Sequence, residues 1–240
     1  MPGLNMTEDE LVAYLQNTAL PTLLVEGVGD KSLLRRLEAL LRKRDIDILP
    51  VGGKGLLHNV YIRKQEFALS KVAFLRDRDE WSITNVPPGY EEYVFTSGYS
   101  IENDVLDQVV IEALLKSEMS MLSTQIEMLA EWFRHAVYRM AILVDGCCIS
   151  RDVSQIIVDG AYTPDALLDM DGLELPTPFS SLDLKKCWVW LRGKSLLRMV
   201  HAFIVKEGSN YSKDQILDLS LRMGKNNALP GLIERISSKF

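Results

Sequence analysis

Short apolar runs alternating with helix-length amphipathic spans limit what the N-terminal part of this chain can become. Thr22 to Val25 is an apolar run closed by Glu26 and Gly27, as a buried strand meeting a turn would be. Leu33, Leu34, Leu37, Leu40 and Leu41 then recur at helical spacing through Arg44 and give a helix with one apolar stripe. Ile46 to Val51 reads as a second strand, Gly52 and Gly53 as a turn, and Leu56 to Leu69 as a helix with Leu56, Leu57, Val60 and Tyr61 inward. Val72 to Leu75 is a third strand. Strands separated by helices of this length require crossover connections, so the fold class is α/β with a parallel sheet flanked by helices. Thr7 with Glu10 forms a capping box for a short first helix ending at Asn17, and Pro21 restarts the chain.

Beyond these elements the strand signals thin out. Tyr93 to Phe95 is a fourth strand, Ser100 opens a helix to about Val110, and residues 111–148 read mainly as helix. Gly160, Pro164, Pro176 and Pro178 mark a looser stretch. The expected division is a catalytic core over residues 1–110 and a mainly helical C-terminal region over 111–240, used for docking or dimerisation. With 47% hydrophobic residues in 240, the chain buries a core without help from disulfides. No apolar run is long enough to cross a membrane, and the N-terminus has no basic segment leading into an apolar one, so a cytoplasmic protein is expected. Cys147, Cys148 and Cys187 lack zinc-site spacing and read as buried thiols. His58, His135 and His201 are far apart in sequence, so any metal would be held by carboxylates.

Glu26 and the triplet Asp77-Arg78-Asp79 follow the first and third strands, where open α/β sheets place their ligand sites. Mg²⁺ takes hard oxygen ligands and keeps several waters, so carboxylates beside a phosphate suit it. In extended chain Asp77 and Asp79 would face the same way and share an ion, leaving Arg76 and Arg78 to point elsewhere or clamp phosphate. Any one acid at a strand end is an ordinary solvated turn residue; the order of acid, glycine pair and acid pair carries the signal. The net charge of −6 argues against coating nucleic acid by charge alone. Local basic clusters remain, at Arg35, Arg36, Arg42, Lys43 and Arg44 and again at Lys185, Lys186, Arg192 and Lys194, although a solvated helix face is the plainer account of each. The helix from Lys31 begins beside Glu26, so Arg35 and the glycine-turn Lys54 are placed to reach phosphates, with Arg42 to Arg44 too distant.

These residues resemble the Toprim fold of topoisomerases, primases and the overcoming-lysogenization-defect (OLD) type nucleases. Glu26-Gly27 with Asp30 resembles the first motif of that family, and Asp77-Arg78-Asp79 its paired-aspartate motif. L-V-E-G-V-G-D-K, V-G-G-K-G at Val51 to Gly55, F-L-R-D-R-D-E-W at Phe74 to Trp81, and Y-S-I-E-N-D-V-L-D at Tyr99 to Asp107 together resemble Toprim-like nucleases that pair with an ABC-type ATPase in antiphage defence. The similarity is nearest to the nuclease effectors of the phage anti-restriction-induced system, PARIS. It covers about residues 20 to 110, with a weaker echo at Arg192-Gly193-Lys194.

The resemblance implies a Mg²⁺-dependent endonuclease, with Mn²⁺ as a substitute. Glu26 would be a metal ligand or general base, Asp77 and Asp79 metal ligands, and Glu102 a further carboxylate. Asp30 has two readings, a ligand or the cap of the helix that follows. Lys194 likewise is either a stabiliser of the anionic transition state or a solvated surface lysine. The resemblance further implies an effector held inactive by an ATPase partner, a homodimer when active, and host RNA, tRNA included, as the favoured target. A dinucleotide site is disfavoured because Ser32 stands at its third glycine position, and a P-loop because Trp188 stands at its first. The rival from a different class is a non-catalytic Toprim scaffold or binding subunit of a larger complex.

Overall fold

In a computed structural model, which describes residues 6–27, 31–142, 149–225 and 227–240, the first elements are those the sequence predicts. They run α1 (Glu8–Asn17), β1 (Thr22–Val25), α2 (Lys31–Arg42), β2 (Asp47–Pro50), α3 (Lys54–Ile62), β3 (Val72–Arg76) and β4 (Val94–Phe95). There follow α4 (Ile101–Val105), α5 (Gln108–Leu114), α6 (Met119–Ala141), β5 (Ile157–Val158), β6 (Ala161–Tyr162), α7 (Pro164–Met170), α8 (Cys187–Trp190), α9 (Gly193–Lys206), α10 (Lys213–Met223) and α11 (Leu229–Ser237). The expected class holds: a parallel sheet flanked by helices, with a mainly helical C-terminal region. Among the described residues, no helix is long and apolar enough to cross a membrane.

Contacts divide the chain into two units. One comprises Met1–Asp77, Pro87–Thr96 and Ala228–Phe240, and the other Arg78–Val86 with Ser97–Asn227. This differs from the single cut expected near residue 110. Residues 97–110 group with the helical unit, and the last helix returns to the sheet unit. That return has a physical cause. Arg235 on α11 donates from Nη2 to the Phe95 carbonyl of β4 (3.2 Å), and Arg44 Nη1 donates to Ser237 Oγ (2.6 Å).

In the sheet unit the strand order is β2-β1-β3-β4, all parallel. Leu24 lies in register with Leu49 on one side and Phe74 on the other. These three pack with Leu11, Val12 and Leu15 of α1 and Leu57, Val60 and Tyr61 of α3. Leu23, Ile48, Ala73 and Leu75, one residue out of step, are also buried, so both sheet faces are covered. Each buried leucine or phenylalanine contributes about 1.5–3 kcal/mol. Thr7 and Glu10 form the expected capping box, and Arg63 ties α1 to the end of α3 through Glu8, Asp9 and Glu66. The helix expected over Leu56 to Leu69 starts two residues early and stops at Ile62, giving way to a 3₁₀ turn at Lys64–Phe67.

In the helical unit, the helix expected from Ser100 to Val110 is broken at Asp107. Its backbone is extended (φ −117°), and its carboxylate caps α5 by accepting from the Val109 and Val110 N–H groups. The helix expected over 111–148 restarts at Met119, and residues 143–148 lie outside the described residues, Cys147 and Cys148 among them. Cys187 is buried as expected, and burial pushes its thiol up to about 12. On α6, Leu122, Ile126, Leu129, Trp132 and Phe133 point into the core. Trp132 Nε1 donates to Asp169 (2.8 Å), and Arg139 donates to carbonyls at the end of α7. A hairpin the sequence reading missed joins β5 to β6 through Asp159 and Gly160, both at positive φ.

One carboxylate braces the junction of α9 and α6. Glu207 accepts from the N–H groups of Lys116 (2.5 Å), Ser117 (2.8 Å) and Glu118 (2.8 Å), and these bonds hold its carboxyl down at about 2. A group with a depressed folded-state pKa stabilises the fold above its ordinary value of 4.5, and that contribution is lost as pH falls toward about 2. Glu207→Gln is therefore expected to lower the urea midpoint at pH 7. The gap from wild type should narrow as pH falls below 4.5; a gap that stays constant with pH would contradict this account.

Candidate metal site

In the sheet unit, Val25 and Leu75 lie in register on neighbouring parallel strands. Glu26 follows Val25 directly, and β3 runs one residue further, to Arg76, before Asp77. The two acids therefore leave the same carboxyl edge of the sheet, offset by one residue. Both are half-buried, and Glu26 Oε2 is shielded from solvent. Asp30 lies outside the described residues.

The glycine turn after β2 is built as expected. Gly52 and Gly53 take φ of 86° and 144°, conformations that side chains resist, and Lys54 opens α3 in an exposed position. Arg35 is exposed on α2, as are Arg42, Lys43 and Arg44. Two of these last three already have partners: Arg42 pairs with Glu38 at 2.6 Å, and Arg44 bonds Ser237. The Arg76 guanidinium sits 5.1 Å from the Tyr90 ring centre, so Tyr90 takes it up as a cation–π partner.

Sequence reasoning gave no role to the aromatic group beside this edge. Tyr90 stacks on His58 at 5.2 Å, and His58 Nδ1 lies 3.4 Å from Tyr93 Oη. Burial raises the Tyr93 phenol above its ordinary value, so it stays protonated at neutral pH, and the His58 tautomer sets which of the two donates. The signal available in sequence was His58 four residues after Lys54, one turn along the same helix.

From Arg78, where the helical unit begins, the aspartate triplet departs from the extended form expected of it. Arg78 is helical (φ −68°, ψ −33°) and Asp79 is left-handed (φ 51°), opening a 3₁₀ turn at Asp79–Ser82. The Asp79 N–H donates to the Tyr99 carbonyl at 2.7 Å, which draws the chain out of strand geometry. Strand alternation therefore does not bring Asp77 and Asp79 onto one ion. Aspartate tolerates this backbone better than most residues.

The motif Tyr99 to Asp107 is a polar knot. Asn103 Nδ2 donates to the carbonyls of Trp188 (2.7 Å) and Leu191 (2.9 Å), and Asp104 accepts from the N–H groups of Ser97 and Gly98, both 2.7 Å. Glu102 is 2% exposed and accepts from Ser100 Oγ at 2.5 Å. Gly193 lets α9 press against this knot. A Cβ there would fall 2.3 Å from Ser100 Oγ, 2.6 Å from Asn103 Oδ1 and 3.1 Å from Glu102 Cβ. The Arg192-Gly193-Lys194 echo thus adjoins the Glu102 segment, with Lys194 itself exposed.

Among the described residues, no group of three or more His, Cys, Asp or Glu side chains is arranged to hold a metal ion. The donors at the sheet edge are carboxylate oxygens, which suit a hard ion bound by one or two carboxylates with water and phosphate completing the shell. They do not suit a closed cage. No protein-family model matches the chain, and no curated protein matches it.

Asn103→Ala removes both donors to the 188–191 segment and leaves two carbonyls to find other partners. A loss of about 1–3 kcal/mol in urea unfolding is expected. Gly193→Ala should be destabilising as well, because Ser100 and Asn103 must move; stability equal to wild type in both variants would show that the knot does not hold this unit together.

Proposed function

We propose that this chain is a Toprim-type, Mg²⁺-dependent nuclease, the effector of an antiphage defence system that is held inactive by an ABC-type ATPase and cleaves host RNA, tRNA included. The observation that best supports the reading is the pair Glu26 and Asp77 at one carboxyl edge of neighbouring parallel strands. The polar knot around Glu102, with Gly193 pressed against it, is the second. The helical C-terminal region is the surface proposed for docking the ATPase and for a homodimer in the active form.

The carboxylates of Glu26 and Asp77 suit an open Mg²⁺ site, and the resemblance adds Asp79 and Glu102 as candidate ligands. When bound, Mg²⁺ or Mn²⁺ polarises a scissile phosphate and offsets charge on the leaving oxygen. Glu26 is the candidate base, taking a proton from the attacking water. Lys54 and Arg35 bind flanking phosphates, and Lys194 offsets negative charge in the transition state. The rival reading, a non-catalytic scaffold, draws on the lack of a three-ligand cluster among the described residues. Cleavage separates the two.

Purified protein incubated with RNA and DNA panels in Mg²⁺, Mn²⁺ and EDTA is the deciding experiment. Metal-dependent RNA cleavage is expected, and no cleavage of any substrate after release from the ATPase would leave the scaffold reading. Glu26→Ala and Asp77→Ala should each lower cleavage by about 10²–10⁴-fold. Their melting temperatures should hold, since neither acid is part of the apolar core, and Mn²⁺ binding should weaken.

Substrate contacts can be checked separately. Lys54→Ala or Arg35→Ala should each reduce the slope of log affinity against log salt by about one. The triple change at Arg42, Lys43 and Arg44 should leave cleavage unchanged. The reverse pattern would put the substrate on another face.

A further inference from the structure

The helical unit contains a second, separate feature with the chemistry of a ligand site. An open cleft of about 550 Å³ lies between α6, α9, the start of α10 and the segment from Asp152 to Ile157. Its size falls in the range of small-molecule sites. Its walls have two kinds of surface. Ile157, Met199 and Phe203, all buried side chains, supply an apolar wall, while Arg198, His201, Lys213 and Gln125 bring nitrogen donors to the same space.

The charges are unevenly matched. Asp152 is the carboxylate lining the cleft, and its own turn already engages it: it accepts from Ser154 N–H (3.1 Å) and Ser154 Oγ (2.9 Å). Arg198 Nη1 adds a bond at 2.5 Å, leaving the rest of that guanidinium for other acceptors. These bonds, with Lys213 nearby, keep the Asp152 carboxyl below its ordinary value, so it stays ionised and is no proton donor to a ligand. Lys213 forms no ion pair among the described residues, and His201 no side-chain hydrogen bond. Two fixed cations thus face one carboxylate that is already hydrogen-bonded, in a chain whose total charge is −6.

We propose that this cleft binds a free nucleoside monophosphate, with the phosphate on Arg198 and Lys213 and the base against the wall of Ile157, Met199 and Phe203. A phosphate matches the fork of an arginine and the point charge of a lysine. An inorganic anion would make no use of the apolar side of the cleft, and a neutral nucleoside would bring no charge to Lys213. The lining of the cleft includes none of Glu26, Asp77 and Glu102, and the proposal does not depend on the nuclease reading.

The test is saturation-transfer NMR and calorimetry on the full chain with AMP, GMP, CMP and UMP, the corresponding nucleosides, and inorganic phosphate. At least one nucleotide is expected to bind at sub-millimolar concentration. Its nucleoside and phosphate alone should bind at least about tenfold more weakly, the scale of one charge-assisted contact. Lys213→Ala should weaken nucleotide binding by about tenfold with no change in melting temperature, because that half-buried side chain holds no ion pair among the described residues. Arg198→Ala should do the same, although it also removes a bond to Asp152. Glu26→Ala should leave binding unchanged. Failure of every nucleotide to bind, equal binding by phosphate alone, or wild-type affinity in Lys213→Ala would overturn the proposal. Loss of binding in Glu26→Ala would place the nucleotide at the sheet edge and overturn it as well.

Discussion

The central strand β1 is buried along its whole length, on both faces and both edges. Its four residues are covered by side chains above and below, and its backbone pairs with β2 on one side and β3 on the other. Even its first residue is held: the Thr22 N–H donates to the Lys71 carbonyl (2.9 Å), and Thr22 Oγ1 donates to Leu20 (2.9 Å). A strand so enclosed can meet polar chemistry only at its ends. Because both neighbours are parallel to it, each must be reached by a crossover, and every strand delivers its following residue to the same edge. Glu26, the Gly52-Gly53 turn and Asp77 share that edge for this reason alone.

The helical unit depends on a different kind of constraint. Its α4 is five residues long and cannot hold its shape by helix propagation. Tight polar contacts do so instead. Asn103 reaches the carbonyls of Trp188 and Leu191, Asp104 holds the Ser97–Gly98 turn and Asp107 caps α5, while Gly98, Gly193 and Gly224 let neighbouring segments approach closely. At Gly224 an added Cβ would lie 2.7 Å from Asp107 Cβ, and at Gly98 2.7 Å from Asn103 Cβ. Most of the motif that looked catalytic in sequence is therefore structural. Within the same turn, Glu102 accepts from Ser100 Oγ.

What could be read in the sequence follows from this contrast. Strands β1 and β3 were legible because continuous apolar runs bounded by turn residues have few other uses, and the capping box at Thr7 fixed the start of α1. The break at Asp107 was legible in principle, since aspartate before an apolar run is a helix-capping signal, yet helical periodicity masked it. The β5–β6 hairpin had an Asp159-Gly160 turn between Ile157-Val158 and Ala161-Tyr162, a signal outweighed by the nearby prolines. The left-handed Asp79 was not legible. It follows from a bond to Tyr99, a residue twenty positions away, and local spacing cannot show such a partner. The same holds for α11, whose ties to Phe95 and Arg44 are long-range.

Net charge gave the least guidance about substrate, and the structure indicates why. Several of the acids that make the total negative already have partners. Glu8, Asp9 and Glu66 surround Arg63, Glu207 and Asp107 accept from backbone N–H groups, and Asp104 is buried on the Ser97–Gly98 turn. A carboxylate held by backbone donors has much of its charge offset locally and contributes little at a distance. Exposed Lys54 and Arg35 sit on the two helices that leave the carboxyl edge, where two adjoining helix N-termini add their own positive ends. The field met by a phosphate is set by what lies within a Debye length, about 8 Å at physiological salt. An acidic total is therefore compatible with an edge that attracts anions, and the distribution of charge, rather than its sum, bears on what this protein binds.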